Sequence, residues 1–164
     1  MSGATDASAV QALTFGIGQE VFAVPVPMVR EVIDYCPPFR IPNGPDHFIG
    51  LIEVRGQGIP VIDLRIRFGL PPATPTPMTR ILILEVPQDG GGLNIGLLID
   101  KALTVSVFSR AAIEKSPEIG IRWRSDYIEG VVRDENGFVV LIDIARVLTT
   151  DDAMLIDSVV RQTA

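Results

Sequence analysis

Short apolar runs rich in Val and Ile recur along the chain, at residues 21–24, 59–62, 81–84, 95–99 and 138–142. Gly, Pro, Asn or Asp lies close to each of them. Runs this short, punctuated by turn residues, predict strands. Their continuous apolar character predicts that many are buried on both faces. Hairpin turns are expected at Gly18 and Gln19, at Gln57 and Gly58, across 90–92 and across 135–137. In the last of these an Asn-Gly pair supplies the positive φ angles that a tight turn demands. Helical signals are few. Pro27 suits the first position of a short helix over 28–32. Asp63 and Asp143 each follow a strand and are placed to cap short turns over 64–68 and 144–148. Asp151 and Asp152 open an expected C-terminal helix over 151–164, with acidic residues at its positive end.

Four prolines fall within residues 71–77. Proline donates no ladder hydrogen bond, so this segment predicts a connector. It divides the chain almost in half, and the halves are alike. IPVIDL at 59–64 matches VVLIDI at 139–144, which places Asp63 and Asp143 80 positions apart. Each match follows a glycine-led strand and turn, beginning at Gly50 and at Gly130. Each half opens with a hairpin, over 13–24 and over 80–99. The expected fold is therefore all-β, with a duplicated five-strand unit: two small barrels packed together, each burying edges the other would leave exposed. The first barrel is expected over 12–70 and the second over 79–150, after a flexible tail over 1–11.

Composition narrows the partners. Of 164 residues, 47% are hydrophobic, enough for a packed core. The net charge of -6 repels phosphate backbones, which argues against nucleic acid, and against an anionic membrane surface as well. Cys36 is the only cysteine, so no internal disulfide forms, and a reducing compartment fits. Residues 1–11 lack the charged and apolar regions of a secretory signal. Every apolar stretch is interrupted well short of the roughly 18 residues a membrane span needs. The expected location is the cytoplasm, with no membrane insertion.

One set of motifs is more specific. RIPNGP at 40–45, FIGLIEVRG at 48–56 and IPVIDLRIRFG at 59–69 follow one another as a P-N-x-P turn, a G-x-x-x-x-R-G strand and a P-x-I-D-L-R-x-x-F turn. VREV at 29–32, GLLID at 96–100, YIEG at 127–130 and LIDI at 141–144 agree in order and spacing. Over roughly 13–148 the chain resembles the chemotaxis coupling family of CheW-like domains. The resemblance implies two five-stranded SH3-like barrels, no cofactor and no catalysis. It implies an adaptor that bridges methyl-accepting chemoreceptor tips and a CheA-type histidine kinase, and that is monomeric outside the signalling array. The receptor's helical hairpin is expected in a groove between the barrels, and the kinase's regulatory domain on the barrel ends. Several positions depart from the family pattern. Glu53 stands where Asn is frequent, Pro25 and Pro27 bracket the first short helix, Pro37 and Pro38 stiffen the next loop, and Ile119 stands where Phe is frequent.

Candidate chemistry is sparse. His47 is the only histidine, lies between Asp46 and Phe48, and is read as structural or surface. Cys36 precedes two prolines with no base beside it, and is read as inert. Asp63 and Asp143 are read as turn caps in preference to an acid pair. Residues 90–92 lack the phosphate-loop pattern and are read as a hairpin tip. Trp123, between Arg122 and Arg124, is read as a loop anchor or exposed contact. Arg55 sits at the end of an apolar strand, just before a glycine. It is either a solvated strand-end arginine or a donor whose planar fork bonds carboxylates or carbonyls of a docked helix. The resemblance favours the second reading, because Arg55 falls on the signature arginine. It implies receptor contacts at Val29, Glu31, Arg55 and Val105. On a short first-half helix, Val29 would bury against a partner and Glu31 would supply a charge at the rim. Val105 holds the comparable place in the second half. Core packing is the alternative for both valines. Glu118 and Ile119, held after Pro117, are the expected kinase contacts. The rival to an adaptor is a small barrel protein with a ligand or catalytic site between its halves, which would require a polar cavity there.

Overall fold

Ten strands and two short helices make up the fold of the computed structural model, which describes residues 8–40, 42, 44–88, 91–114, 127–135 and 137–148. The first half contributes β1 (Ala9–Ile17), β2 (Glu20–Pro25), β3 (Val29–Asp34), β4 (Phe48–Val54), β5 (Gln57–Asp63) and α1 (Leu64–Arg67). The second contributes β6 (Arg80–Gln88), β7 (Gly91–Ile99), β8 (Lys101–Ser109), β9 (Ile128–Asp134), β10 (Gly137–Ile142) and α2 (Ile144–Val147). The strands form two five-stranded sheets, in the orders β8-β1-β2-β10-β9 and β3-β6-β7-β5-β4. Replacing each strand of the first order by its counterpart in the other half gives the second. The duplication read from the motifs at Asp63 and Asp143 is thus present in the topology.

The expected division of the chain at residues 71–77 is corrected. Neither sheet is confined to 12–70 or to 79–150. The opening hairpin of each half, β1-β2 or β6-β7, sits in the sheet completed by the other half. Apolar patterning fixes which faces of a strand are buried. It does not fix which edge a strand pairs with, so the exchange left no mark in the pattern. Of the segment expected as a tail over 1–11, residues 9–11 belong to β1, which begins at Ala9. The C-terminal helix expected over 151–164 lies outside the described residues.

Each sheet closes on itself through one bridge. Beyond β3 the chain runs to Phe39, which exchanges backbone hydrogen bonds of 2.7 and 2.8 Å with Leu51 on β4. Beyond β8, Glu114 does the same with Val131 on β9, at 2.9 Å each way. Closure removes the unpaired edges that an open sheet would offer to other chains. The result is two SH3-like barrels with three apolar clusters. One cluster, including Ala12, Ala23, Phe108 and Leu141, draws on all five strands of the first barrel. A second, including Ile52, Ile59, Val61 and Ile81, lies in the other barrel. The third and largest joins both barrels, from Phe15, Phe22 and Val24 to Leu84, Leu97 and Ile142. Strands buried on both faces are a direct consequence: one face fills the barrel and the other seals the interface.

Two local readings change. Residues 28–32 are not a helix. A single 3-10 turn, Val26–Met28, carries Pro27, and the chain then extends as β3. The β-branched Val29, Val32 and Ile33 suit a strand beside β6, and this overrides the helix-start signal of one proline. The second hairpin turn is also displaced. Val54 pairs with Gln57, so the turn residues are Arg55 and Gly56, while Gly58 lies within β5. The turn at Gly18 and Gln19 stands where expected, with Ile17 paired to Glu20.

Candidate functional site

Arg55 occupies the first corner of the two-residue β4-β5 turn. Its φ is 51° and that of Gly56 is 81°, the pair of positive angles that defines a type I′ hairpin turn. Asn or Gly is the residue this corner prefers, because a larger side chain crowds the backbone there. Arg55 is the one non-glycine residue at positive φ among the described residues. Its side chain is 79% exposed, and its guanidinium donates to the Glu31 carboxylate on β3, which is 25% exposed. Arg30, next along β3, pairs with Glu85 on β6 at 2.5 Å. Arg30, Glu31 and Arg55 rim a shallow cleft with Val54, Gln57 and Asn94. Two of the four expected receptor contacts, Glu31 and Arg55, are therefore brought into direct contact.

The other two lie on counterpart strands, Val29 on β3 and Val105 on β8. Val29 lies opposite Leu84 on β6, and Val105 lies opposite Leu13 on β1. The parallel ladders match Ala23 with Gly96, so Leu13 corresponds to Leu82, whose partner on β3 is Val32, and the residue that corresponds to Leu84 is Phe15. The environments of the two valines differ. Val29 packs against the central cluster. Val105 is 50% exposed, flanked by exposed Leu103 and Val107 on the same face of β8. Leu103 and Val107 were missed in the sequence. Their signal in the sequence is an apolar residue at every second position of an uncharged stretch, an alternation that equally fits a buried face. The helix expected to carry Val29 and Glu31 is β3 instead. There the side chains of Arg30 and Val32 are exposed and those of Val29, Glu31 and Ile33 are half-buried.

Arg65 and Asp100 form a second polar feature that sequence reasoning did not single out. Arg65 donates to both Asp100 carboxylate oxygens, at 3.1 and 2.6 Å, and the Gly18 N–H donates to the same carboxylate at 2.6 Å. The clasp ties α1, the β1-β2 turn and the β7-β8 corner together. Burial alone would raise the Asp100 carboxyl, but the Arg65 and Gly18 hydrogen bonds and the nearby positive charges hold it below the ordinary carboxylate value. Asp63 behaves oppositely. Burial pushes its carboxyl up, against the hydrogen bond it accepts from the Arg65 N–H at 2.9 Å. That bond makes Asp63 the cap of α1, as expected. Asp143 makes no such side-chain bond and instead pairs with Arg146 at 3.4 Å. On the other side of α1, Arg67 donates to the Val147 carbonyl at 2.8 Å and lies 4.8 Å above the Tyr127 ring.

The His47 carbonyl accepts from the Asp63 N–H at 2.8 Å, a backbone role. Cys36 is half-buried against the apolar cluster of its barrel. Among the described residues no group of three or more His, Cys, Asp or Glu is placed to hold a metal ion, and no helix is long and apolar enough to cross a membrane. Glu118, Ile119 and Trp123 lie outside the described residues.

An apolar, closed interface between two barrels, with its distinctive polar and apolar groups on the outer surface, defines a protein-binding scaffold. Comparison with known proteins gives the particular family. Residues 11–152 match the model of the CheW-like domain. The chemotaxis protein CheW of Bacillus subtilis is 31% identical over 142 residues, spanning 86% of this chain and 88% of that one. The probable chemotaxis protein CheW of Rhizobium etli is 29% identical over 132 residues, spanning 80% and 83%. The crystal structure of the scaffolding protein TtCheW from Thermoanaerobacter tengcongensis superposes with a TM-score of 0.77 at 25% identity, covering 87% of this chain and 90% of that one. The chain belongs to the CheW-like family, and it is a non-catalytic chemotaxis adaptor.

Proposed function

We propose that this adaptor couples a chemoreceptor's cytoplasmic tip to a CheA-type histidine kinase in the cytoplasm, with Arg55 at the centre of the receptor contact. The observation that carries the receptor assignment is the backbone of Arg55. A strained, exposed arginine stands at a turn corner where Asn or Gly would be easier, and strain of this kind concentrates where function requires it. Its guanidinium, shared with Glu31, is open to the carboxylates and helix-end carbonyls of a docked hairpin. Val105, with Leu103 and Val107, adds apolar area on β8, while Val29 on β3 packs against the central cluster. Glu118 and Ile119 are the proposed kinase contacts. Coupling then needs no chemistry: two partners held on one rigid body exchange conformational bias through geometry, and many weak contacts in an array gain avidity.

The test is a reconstitution. A receptor tip assembly and the kinase are combined with and without this chain, and kinase autophosphorylation is followed. Receptor-dependent control of the kinase only when the chain is present supports coupling. Control that is equal in its absence contradicts it.

A further inference from the structure

We propose that each half of this chain is the docking partner of the other half, and that two copies exchange halves to form a closed dimer. The ladders carry the inference. Four of them join one hairpin or strand to the next: β1-β8, β2-β10, β3-β6 and β5-β7. Every one pairs a strand of the first half with a strand of the second. What remains within a half is two hairpins and a single closing bridge. A lone hairpin is marginal in water, so neither half holds a sheet of its own. Several long-range side-chain bonds also cross, although Arg55 with Glu31 and Arg133 with Glu114 lie within a half. Arg65 with Asp100, Arg67 with the Val147 carbonyl, Thr14 with the Thr104 backbone and Arg30 with Glu85 all cross between the halves.

Only one covalent connection spans this interface. Residues 71–78 are exposed and proline-rich, and are tied near their ends by Arg65 to the Pro71 carbonyl at 3.2 Å and by Arg80 to the Pro77 carbonyl at 2.9 Å. The interface itself does not distinguish a half from its own chain from one supplied by a second copy. A short linker holds the halves at an effective concentration in the millimolar range, so dilute chains close on themselves. Chains folding at comparable concentration exchange. Two reciprocal exchanges satisfy every ladder, so assembly stops at a two-fold dimer. In each globule of that dimer Glu31 and Arg55 come from one copy and Val105 from the other. The exchange rests on topology alone; only the resulting bivalency for a receptor rests on the coupling role proposed above.

The experiment uses the full chain with a protease recognition sequence inserted between Ala73 and Thr74. The protein is unfolded and refolded at about 10 µM and at about 1 mM, the second matching the effective concentration of a short linker. Mass is then read by light scattering on a sizing column. The expected result is a dimer that grows with refolding concentration and persists on dilution. Cutting the linker converts that dimer to particles of monomer mass with unchanged β signal. The cut monomer keeps its mass and separates into two fragments only in denaturant. Three results overturn the proposal: monomer alone at both concentrations, a cut monomer whose halves separate without denaturant, or a cut dimer that keeps dimer mass.

Discussion

Gly50 and Gly130 occupy the same point of the two barrels, where the closing segment crosses β4 and β9. A Cβ on Gly50 would lie 2.3 Å from the Phe39 carbonyl oxygen, and Gly50 has φ +146°. A Cβ on Gly130 would lie 2.3 Å from the Ile113 Cγ2, with the Glu114 carbonyl oxygen at 3.2 Å. The first obstacle is backbone and the second is chiefly a side chain, which can turn aside. Gly50→Ala should therefore lower stability by about 2–4 kcal/mol, combining backbone strain and overpacking. Gly130→Ala should cost about 1–2 kcal/mol. Denaturant melts of the two variants check the order. Equal losses would mean the barrel that contains β4 closes in some other way.

The Arg65–Asp100 clasp gives an acid-side prediction. The folded-state pKa of Asp100 is depressed, so its stabilisation is present above the ordinary carboxylate value and is lost as pH falls through the folded value. Asp100→Asn should cost about 1–2 kcal/mol at neutral pH, a figure kept low because the pair is partly solvated. The difference from the parent should shrink below about pH 4. Asp63 has the opposite sign. Its carboxyl is raised, so its ionised form costs stability at neutral pH and that cost is relieved as pH falls toward the ordinary value. Asp63→Asn keeps a cap acceptor and should melt no earlier than the parent at pH 7. Melts from pH 3 to pH 8 measure both. A constant gap between Asp100→Asn and the parent would rule out the clasp as described.

Val29 and Val105 lie on counterpart strands but should differ in effect. Val29→Ala removes a side chain packed on the central cluster and should cost about 1 kcal/mol of stability. Val105→Ala removes a half-exposed side chain and should change stability by less than about 0.5 kcal/mol while weakening receptor binding. Paired melts and receptor titrations separate the two. A Val105 variant that loses stability and keeps its affinity would make that residue part of the core.

The duplication, the strand-rich character and the closed apolar interface were legible because they depend on local pattern: apolar runs, turn residues and the repeated Ile-Asp. The exchange of opening hairpins was not, because nothing in β1 or β6 specifies an edge partner. The short helix over 28–32 failed for a related reason. Pro27 is a local signal, and the long-range pairing of Glu31 and Ile33 with Ile83 and Ile81 decided the outcome. The family motifs brought Arg55 and Glu31 to notice one at a time. Their ion pair needed the turn at Arg55 and Gly56, which the sequence reading placed two residues too late. The Arg65–Asp100 clasp, although both residues stand inside quoted motifs, required knowing that β7 ends beside α1.

Arg55 carries the central claim, and one paired measurement tests it. Its ion pair with Glu31 is exposed, and exposed pairs contribute about 0–1 kcal/mol, so Arg55→Ala should melt close to the parent. Arg55→Asn, better suited to the turn, should melt slightly later. In a titration against a receptor tip fragment, Arg55→Ala should bind about ten- to a hundredfold more weakly, the equivalent of losing about 1.5–3 kcal/mol of charge-assisted hydrogen bonding. Arg55→Lys should recover only part of that affinity, since a point charge does not reproduce the planar fork. Weakened binding with an intact melt is the predicted result. Unchanged affinity in Arg55→Ala, or a loss of affinity that follows a collapse in stability, would contradict the account.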